Sequence, residues 1–442
     1  MPETASVATR PAAHDARRVV MAGAIGTTIE WYDFFIYGTA AAVVFGPQFF
    51  PQVSEVAGTL AAFATFAIGF IARPLGGVAM GHFGDRLGRK SMLVWSLLLM
   101  GLATLGIGLL PTYAQIGVWA PTLLVLLRFI QGFALGGEWG GAVLMSVEHA
   151  PQERRGFFGS FVALGLPAGI ILSNLVFLVT SSAVSPAQFV AWAWRIPFLA
   201  SAGLVAVGLF VRLRVAESPI FAQVQQKQAE RRMPIADVLR HDARTVLVAA
   251  GSYVGISASG YVVIVYFVNY ATRELGLALT TTLALLVAAA VLFAGSIVVF
   301  ASWSDRFGRR RIMQWGCAAL VLWSAIFFPL ADTKSVPLIA LALGGMLFLQ
   351  GAYIGPQPAV FAELFPTEVR YSGASLSLTL GTILGGALAP AIATTLFGAT
   401  GSSTLITVYI TALSAVSWIS TLWLKETFRR DLSATQRGRE SL

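Results

Sequence analysis

The 442-residue chain is 56% hydrophobic and only 12% charged, where a soluble globular domain carries roughly a quarter charged residues, and its mean hydropathy of +0.75 excludes a soluble enzyme. A formal net charge of +9 would suit nucleic acid only on a folded basic face, and no polar stretch here is long enough to build one. The single cysteine, Cys317, lies in an apolar run, so neither an internal disulfide nor a cysteine metal cluster can form.

Apolar runs of the ~20 residues that cross a hydrocarbon core follow one another near 19–45, 57–80, 91–110, 121–147, 157–180, 192–211, 244–270, 280–302, 312–331, 336–362, 371–397 and 403–424. The first follows a basic arm, but it is too long for a signal peptide and lacks a small-residue cleavage site, so it reads as a retained helix. Every Lys and Arg except Arg128, Arg195, Arg273 and Lys334 then falls in segments on one side, Arg73 being counted among them. That asymmetry predicts cytoplasmic termini, with an arm at 1–18 and a tail at 425–442. The longest polar stretch, 212–243, divides the spans six and six. The expected fold is therefore an all-α membrane protein of twelve transmembrane helices, in two pseudo-symmetric bundles at 19–211 and 244–424 joined by a cytoplasmic linker.

Internal repetition supports the two halves. GHFGDRLGRK at 81–90 returns as ASWSDRFGRR at 301–310, matching Asp85, Arg86, Gly88 and Arg89 to Asp305, Arg306, Gly308 and Arg309. EHAPQERRG from Glu148 returns as ELFPTEVRYSG from Glu363, matching Arg155 to Arg370 at nearly the same offset. Parallel halves follow from two motifs repeating in one order.

The segment Gly81 to Lys90 is similar to the loop signature G-x-x-x-D-R-x-G-R-K/R of the major facilitator superfamily. GTTIEWYDFFIYGTAAAVVFGPQFFP, RFIQGFALGGEWGG and AWRIPFL further resemble its metabolite:proton symporter branch, which includes transporters for shikimate, α-ketoglutarate, citrate and proline/betaine. The resemblance runs from about Ala24 to Trp423 and is closest to the shikimate type. It implies a monomeric, proton-coupled transporter of the bacterial inner membrane, importing a small organic anion or zwitterion by alternating access. The proton gradient would take the place of a cofactor. It also implies that Gly81, Asp85, Arg86, Gly88 and Arg89, with Asp305, Arg306 and Arg309, form a cytoplasmic gate, in which the Asp85 carboxylate lies close to the N-terminal dipole of a helix in the other half.

Charged residues inside apolar spans cost several kcal/mol unless paired or facing water, so the first half draws attention to Glu30, Asp33, Arg128 and Glu138. Glu30, Asp33 and Tyr37 share one helical face, and Arg128, Gln131 and Glu138 share another. Arg128, the one cation expected within the membrane, is expected to pair with Asp33 or Glu138 and to hold the substrate carboxylate through its planar fork. Proton coupling is then assigned among Asp33, Glu30 and Glu138. Substrate contacts are expected from Arg128, Gln131 and Tyr37, and in the second half from Tyr253, Tyr261, Asn269, Gln350, Tyr353 and Gln357. Gly132, Gly136 and Gly140 recur every four residues and predict a close helix crossing. An antiporter exporting a drug or metabolite is the alternative function, suggested by LGLPAG at 164–169, a partial match to an antiporter pattern. A non-transporting sensor would need a soluble output domain, and the longest polar stretch is too short to supply one.

Overall fold

Lipid offers the backbone no hydrogen-bond partner, so a membrane-spanning chain closes its own bonds within helices. The computed structural model describes residues 13–87, 89–137, 143–144, 146–147, 150–214, 238, 240–366, 369–428 and 430, and these contain helices and no strand. Of the expected segments, the arm at 1–12, most of the linker at 215–237 and the tail at 431–442 lie outside the described residues. The principal helices are α1 (Ala13–Ala40), α2 (Glu55–Leu87), α3 (Arg89–Leu109), α4 (Trp119–Ala134), α5 (Arg155–Ala163), α6 (Gly165–Ala183), α7 (Ile196–Arg214) and α8 (Ala243–Tyr261). They continue as α9 (Phe267–Arg273), α10 (Leu279–Phe307), α11 (Arg309–Ala331), α12 (Val336–Ile354), α13 (Gln357–Leu364), α14 (Arg370–Thr382), α15 (Ala389–Thr400) and α16 (Thr404–Trp423). Among the described residues nine continuous helical stretches are long and apolar enough to cross a membrane, and Val94–Leu109 and Trp119–Ala134 are shorter apolar helices.

Position in the bundle follows from which faces are apolar all round. The stretch Ala243–Arg273 is buried on nearly every side, whereas α16 turns most of its apolar surface outward, towards lipid. The halves meet where α10 packs on α5 and α6, where α2 packs on α15, and where α1 meets the end of α8.

The repeat seen in the sequence extends to irregular backbone. A π-helical turn at Ala41–Phe45 continues α1, and another at Val262–Tyr266 continues α8, separated by almost the interval between Asp85 and Asp305. Such turns widen a helix locally and are frequent at functional sites. Pro47, five residues after Ala42, has no N–H to offer that turn, so the Ala42 carbonyl is available to a donor from elsewhere.

The glycine spacing on α4 has the expected packing consequence. A Cβ at Gly132 would run into the Gly69 backbone of α2, and one at Gly136 into the backbone at Arg73 and Gly77. Gly140 lies outside the described residues. We predict that Gly132→Val destabilises the protein by at least ~3 kcal/mol, because backbone, not a flexible side chain, must yield. Gly203→Ala, which meets only open space, should leave thermal melting in detergent unchanged. Equal melting temperatures for the two variants would disprove the crossing.

Candidate functional site

Three polar layers lie along the interface between the halves. At one end, Asp305 of α10 accepts hydrogen bonds at 2.8 Å from both the Gly156 and the Phe157 N–H. These are orphan donors of the first turn of α5, and a carboxylate there also meets the positive end of the helix dipole. Arg309 grips Glu363 with two parallel bonds, Nε to Oε2 at 2.6 Å and Nη2 to Oε1 at 2.9 Å, and reaches Asp305 with Nη1 at 3.1 Å. Arg155, from the first half, comes within 3.8 Å of the same Glu363. Gly308 precedes α11 at φ +96°, a conformation only glycine adopts freely. Arg306 is exposed. The earlier copy of this motif is another matter: Gly88, the side chains of Asp85, Arg86 and Arg89, and Glu138 lie outside the described residues, while Gly81 falls within α2.

At the opposite end, Asn269 of α9 donates to the Ala42 carbonyl at 2.7 Å, using the acceptor that Pro47 leaves available. Arg273 and Glu55 pair across the halves at 2.5 Å. Asn269, expected at the substrate, thus serves as a clasp near this end, because the π-turn brings the Ala42 carbonyl of α1 against α9.

Between the ends, the first-half charges divide into two sets about Phe34. The first is Asp33 with Arg128, both fully buried. The expected direct ion pair does not form, since no nitrogen of one lies within 4.0 Å of an oxygen of the other. A polar chain joins them instead. The Thr104 hydroxyl lies 3.2 Å from Asp33 Oδ2 and accepts from Gln131 Nε2 at 2.9 Å, while Gln131 Oε1 accepts from Arg128 Nη1 at 2.5 Å. The guanidinium is boxed by rings, with Cζ 4.1 Å from the Tyr37 centroid, 4.6 Å from Phe34 and 5.1 Å from Phe66. Tyr37 in turn is held by a 2.6 Å bond to Thr65. Gly69 is needed at this point, as a Cβ there would fall 2.7 Å from Arg128 Nε. Arg128 is therefore enclosed, and it does not line the cavity where substrate contact was expected.

The second set does line it. A cavity of about 40 Å³, room for a few water molecules, lies between the halves and is walled by Glu30, Trp31, Arg73, Tyr253, Gln357 and Thr382, with apolar residues completing it. Arg73 Nη2 stands 4.0 Å from Glu30 Oε1, and its guanidinium packs over Phe34 at 5.1 Å and Phe70 at 5.0 Å. Sequence reasoning missed this residue by counting it with the cytoplasmic charges and naming Arg128 the sole intramembrane cation. The signal was present, for Arg73 lies inside the apolar run 57–80 and the structure keeps it within the span Glu55–Met80.

Of the expected second-half contacts, Tyr253 and Gln357 reach the cavity. Tyr353 stacks behind Tyr253 at 5.9 Å and is bonded to Ser252 at 2.7 Å. Gln350 is engaged by Ser259 at 3.2 Å within its own half. Tyr261 plugs the interface edge-on against Phe34, Phe66 and Phe70, with centroids 5.2–5.9 Å apart. Arg195 is an anchor, donating to the Leu110 carbonyl at 3.0 Å with its guanidinium over Trp194.

The comparisons with known proteins agree with one another. A family model described as Major Facilitator Superfamily matches residues 23–390. The chain is 41% identical over 425 residues to the inner membrane metabolite transport protein YhjE of Escherichia coli (strain K12), covering 94% of this chain and 95% of that one. It is 40% identical over 419 residues to the shikimate transporter of the same organism, with the same coverage of each chain. Among solved structures, the partially occluded inward open conformation of the xylose transporter XylE from E. coli matches with a TM-score of 0.73 at 17% identity, over 94% of this chain and 99% of that one. That likeness speaks for the fold alone.

For the Asp305 layer, we predict that Asp305→Asn keeps the fold but loosens this end, since charged acceptors to two backbone donors contribute about 1.5–3 kcal/mol. A cysteine introduced at Ala301, buried beside Gly156, should then be alkylated about tenfold faster than in the Asp305 background. The native Cys317 is buried and provides a low background. Unchanged labelling would show that Asp305 does not hold the end shut.

Proposed function

Since this chain belongs to the Major Facilitator Superfamily, whose members are transporters and not enzymes, and is itself a membrane transporter of metabolites, we propose that it is a proton-coupled symporter importing a small organic acid. In this reading it runs as a monomer in the bacterial inner membrane, with twelve spans in bundles at 19–211 and 244–424 and with both termini in the cytoplasm. The proton gradient supplies the energy in place of a cofactor. The Asp305 end would then be the cytoplasmic gate and the Asn269 end the outer one.

One observation carries the proposal: two acid and base sets lie buried about a single ring, Phe34, and one of them borders the cavity between the halves. Asp33 and Arg128 cancel each other's charge while Asp33 is ionised. When a proton neutralises Asp33, the set keeps the positive charge of Arg128, which cannot be discharged. An anion entering the neighbouring cavity then restores neutrality in a medium where uncompensated charge is costly. Proton and anion therefore favour each other's binding, which is the condition for symport. The field adds a reason, because importing an anion against an inside-negative potential costs ~2.3 kcal/mol per charge per 100 mV and one accompanying proton removes that cost. The relatedness to a shikimate transporter supports a carboxylate as the cargo.

We predict that Asp33→Asn abolishes accumulation of substrate against its gradient but keeps exchange of substrate across the vesicle membrane. The variant removes the titrating group and leaves the cavity walls intact. Proteoliposomes carrying an imposed pH gradient, assayed with a panel of radiolabelled organic acids, would measure both activities. Parental accumulation by the variant would remove Asp33 from the coupling role.

A further inference from the structure

The cavity and the Asp305 layer each hold an arginine facing a glutamate, and the two pairs differ in kind. Arg309 and Glu363 are fully buried and joined by two short bonds, the geometry of a static pair. Arg73 and Glu30 stand at 4.0 Å, too far for a hydrogen bond, and Arg73 Nε and Nη2 are buried with no hydrogen-bond partner. Across the cavity, Gln357 is likewise buried and its Nε2 has no partner. Among the described residues lining this cavity, every unpartnered buried side-chain atom is thus a donor. Two hydroxyls also line the wall, those of Tyr253 and Thr382, and that of Thr382 is already bonded to the Leu378 carbonyl at 2.8 Å. A ligand that satisfies this wall must bring acceptors: a carboxylate for the guanidinium and a second oxygen for the amide.

The placement of the donors gives that ligand a further property. Arg73 belongs to the first half, whereas Gln357 begins α13 just beyond the Gly355–Pro356 interruption of its span in the second. A helix broken within its span is where transporters expose polar groups to cargo. A molecule bonded to both would bridge the halves, so its binding energy would act on their relative position.

We infer that Arg73, and not Arg128, binds the cargo's carboxylate, and that Gln357 selects acids carrying a hydroxyl or keto oxygen. This deepens the symporter reading and rests on it. Glu30 serves as the resting counter-ion of Arg73, and the incoming carboxylate takes its place. A zwitterion such as glycine betaine fits less well, because it has no acceptor beyond its carboxylate to offer Gln357. The cavity measures about 40 Å³, too small for such an acid, so cargo enters as the halves part.

The test uses the full chain in proteoliposomes with an acid-outside pH gradient and four probes: shikimate, α-ketoglutarate, benzoate and glycine betaine. The parent is expected to accumulate shikimate or α-ketoglutarate in preference to benzoate and betaine. Arg73→Lys keeps the charge but loses the fork, and should raise KM for the preferred acid about tenfold or more, with melting in detergent near the parental value. Gln357→Leu, of similar volume, should bring the KM values of the preferred acid and benzoate together, and it carries the test should Arg73→Lys fail to fold. Parental KM in Arg73→Lys alongside a raised KM in Arg128→Lys would overturn the inference and return the carboxylate to Arg128. Preference of the parent for betaine would overturn it as well, while leaving a metabolite transporter in place. A parent that accumulates none of the acids would refute the symporter reading and this inference together. Uptake of the acids that ignores the pH gradient but weakens in Arg73→Lys would support the inference while removing only the proton coupling.

Discussion

Charge in a lipid-surrounded interior is tolerated only with compensation, and much of this molecule's internal architecture can be read as the means of compensating Glu30 and Asp33 on α1. The two acids are three residues apart, so they lie on neighbouring parts of one helical face and need cations from different places. Arg73 arrives from α2 and Arg128 from α4, with Phe34 of α1 between them and in contact with both guanidiniums. The glycines follow from this demand. Gly69 makes room for the Arg128 side chain, and Gly132 and Gly136 let α4 lie close enough to α2 for its arginine to reach α1.

The two arginines meet that demand with unequal rigidity. Arg128 is bonded to Gln131 and packed among rings away from the cavity, with its Nε and Nη2 unpartnered, and Asp33 communicates with it through Thr104 and Gln131. Arg73 has rings on one side and the cavity on the other, with its acid at the limit of ion-pair distance. On the proposed reading, the set away from the cavity takes the proton and the set that borders the cavity meets the anion.

Closure of the ends relies on backbone groups that helices cannot satisfy internally. Asp305 takes the first N–H groups of α5, and Asn269 takes a carbonyl from the π-turn of α1. Each is a contact between halves made by one short side chain and one helix irregularity. Such contacts break without exposing large apolar surface, which is what alternating exposure of a central cavity demands. The buried Arg309 and Glu363 pair differs in lying within one half, where it ties α11 to α13 and keeps the end of the second half rigid.

Much of this was legible from the order of residues. Apolar runs of membrane length specify helices because lipid leaves no alternative, and the DRxGR repeat marked two halves, while the helix N-terminus expected opposite Asp85 is found opposite its counterpart Asp305. The glycine period on α4 likewise carried its consequence, since helical geometry relates near neighbours on one chain directly. Pairing between helices was not legible, because it depends on the depth and rotation of each helix, and these are set by contacts far apart in sequence. That is why Arg73 was assigned to the surface, why Asp33 and Arg128 were expected to touch when two intervening side chains separate them, and why Asn269 was expected at the cargo and is found at a clasp. Composition and periodicity alone established the spans and most of the polar residues within them, but only the packing of α1, α2, α4 and α13 decided which of these face the cavity, Arg73 included, because a helix rotated by one residue turns its side chains through about 100°.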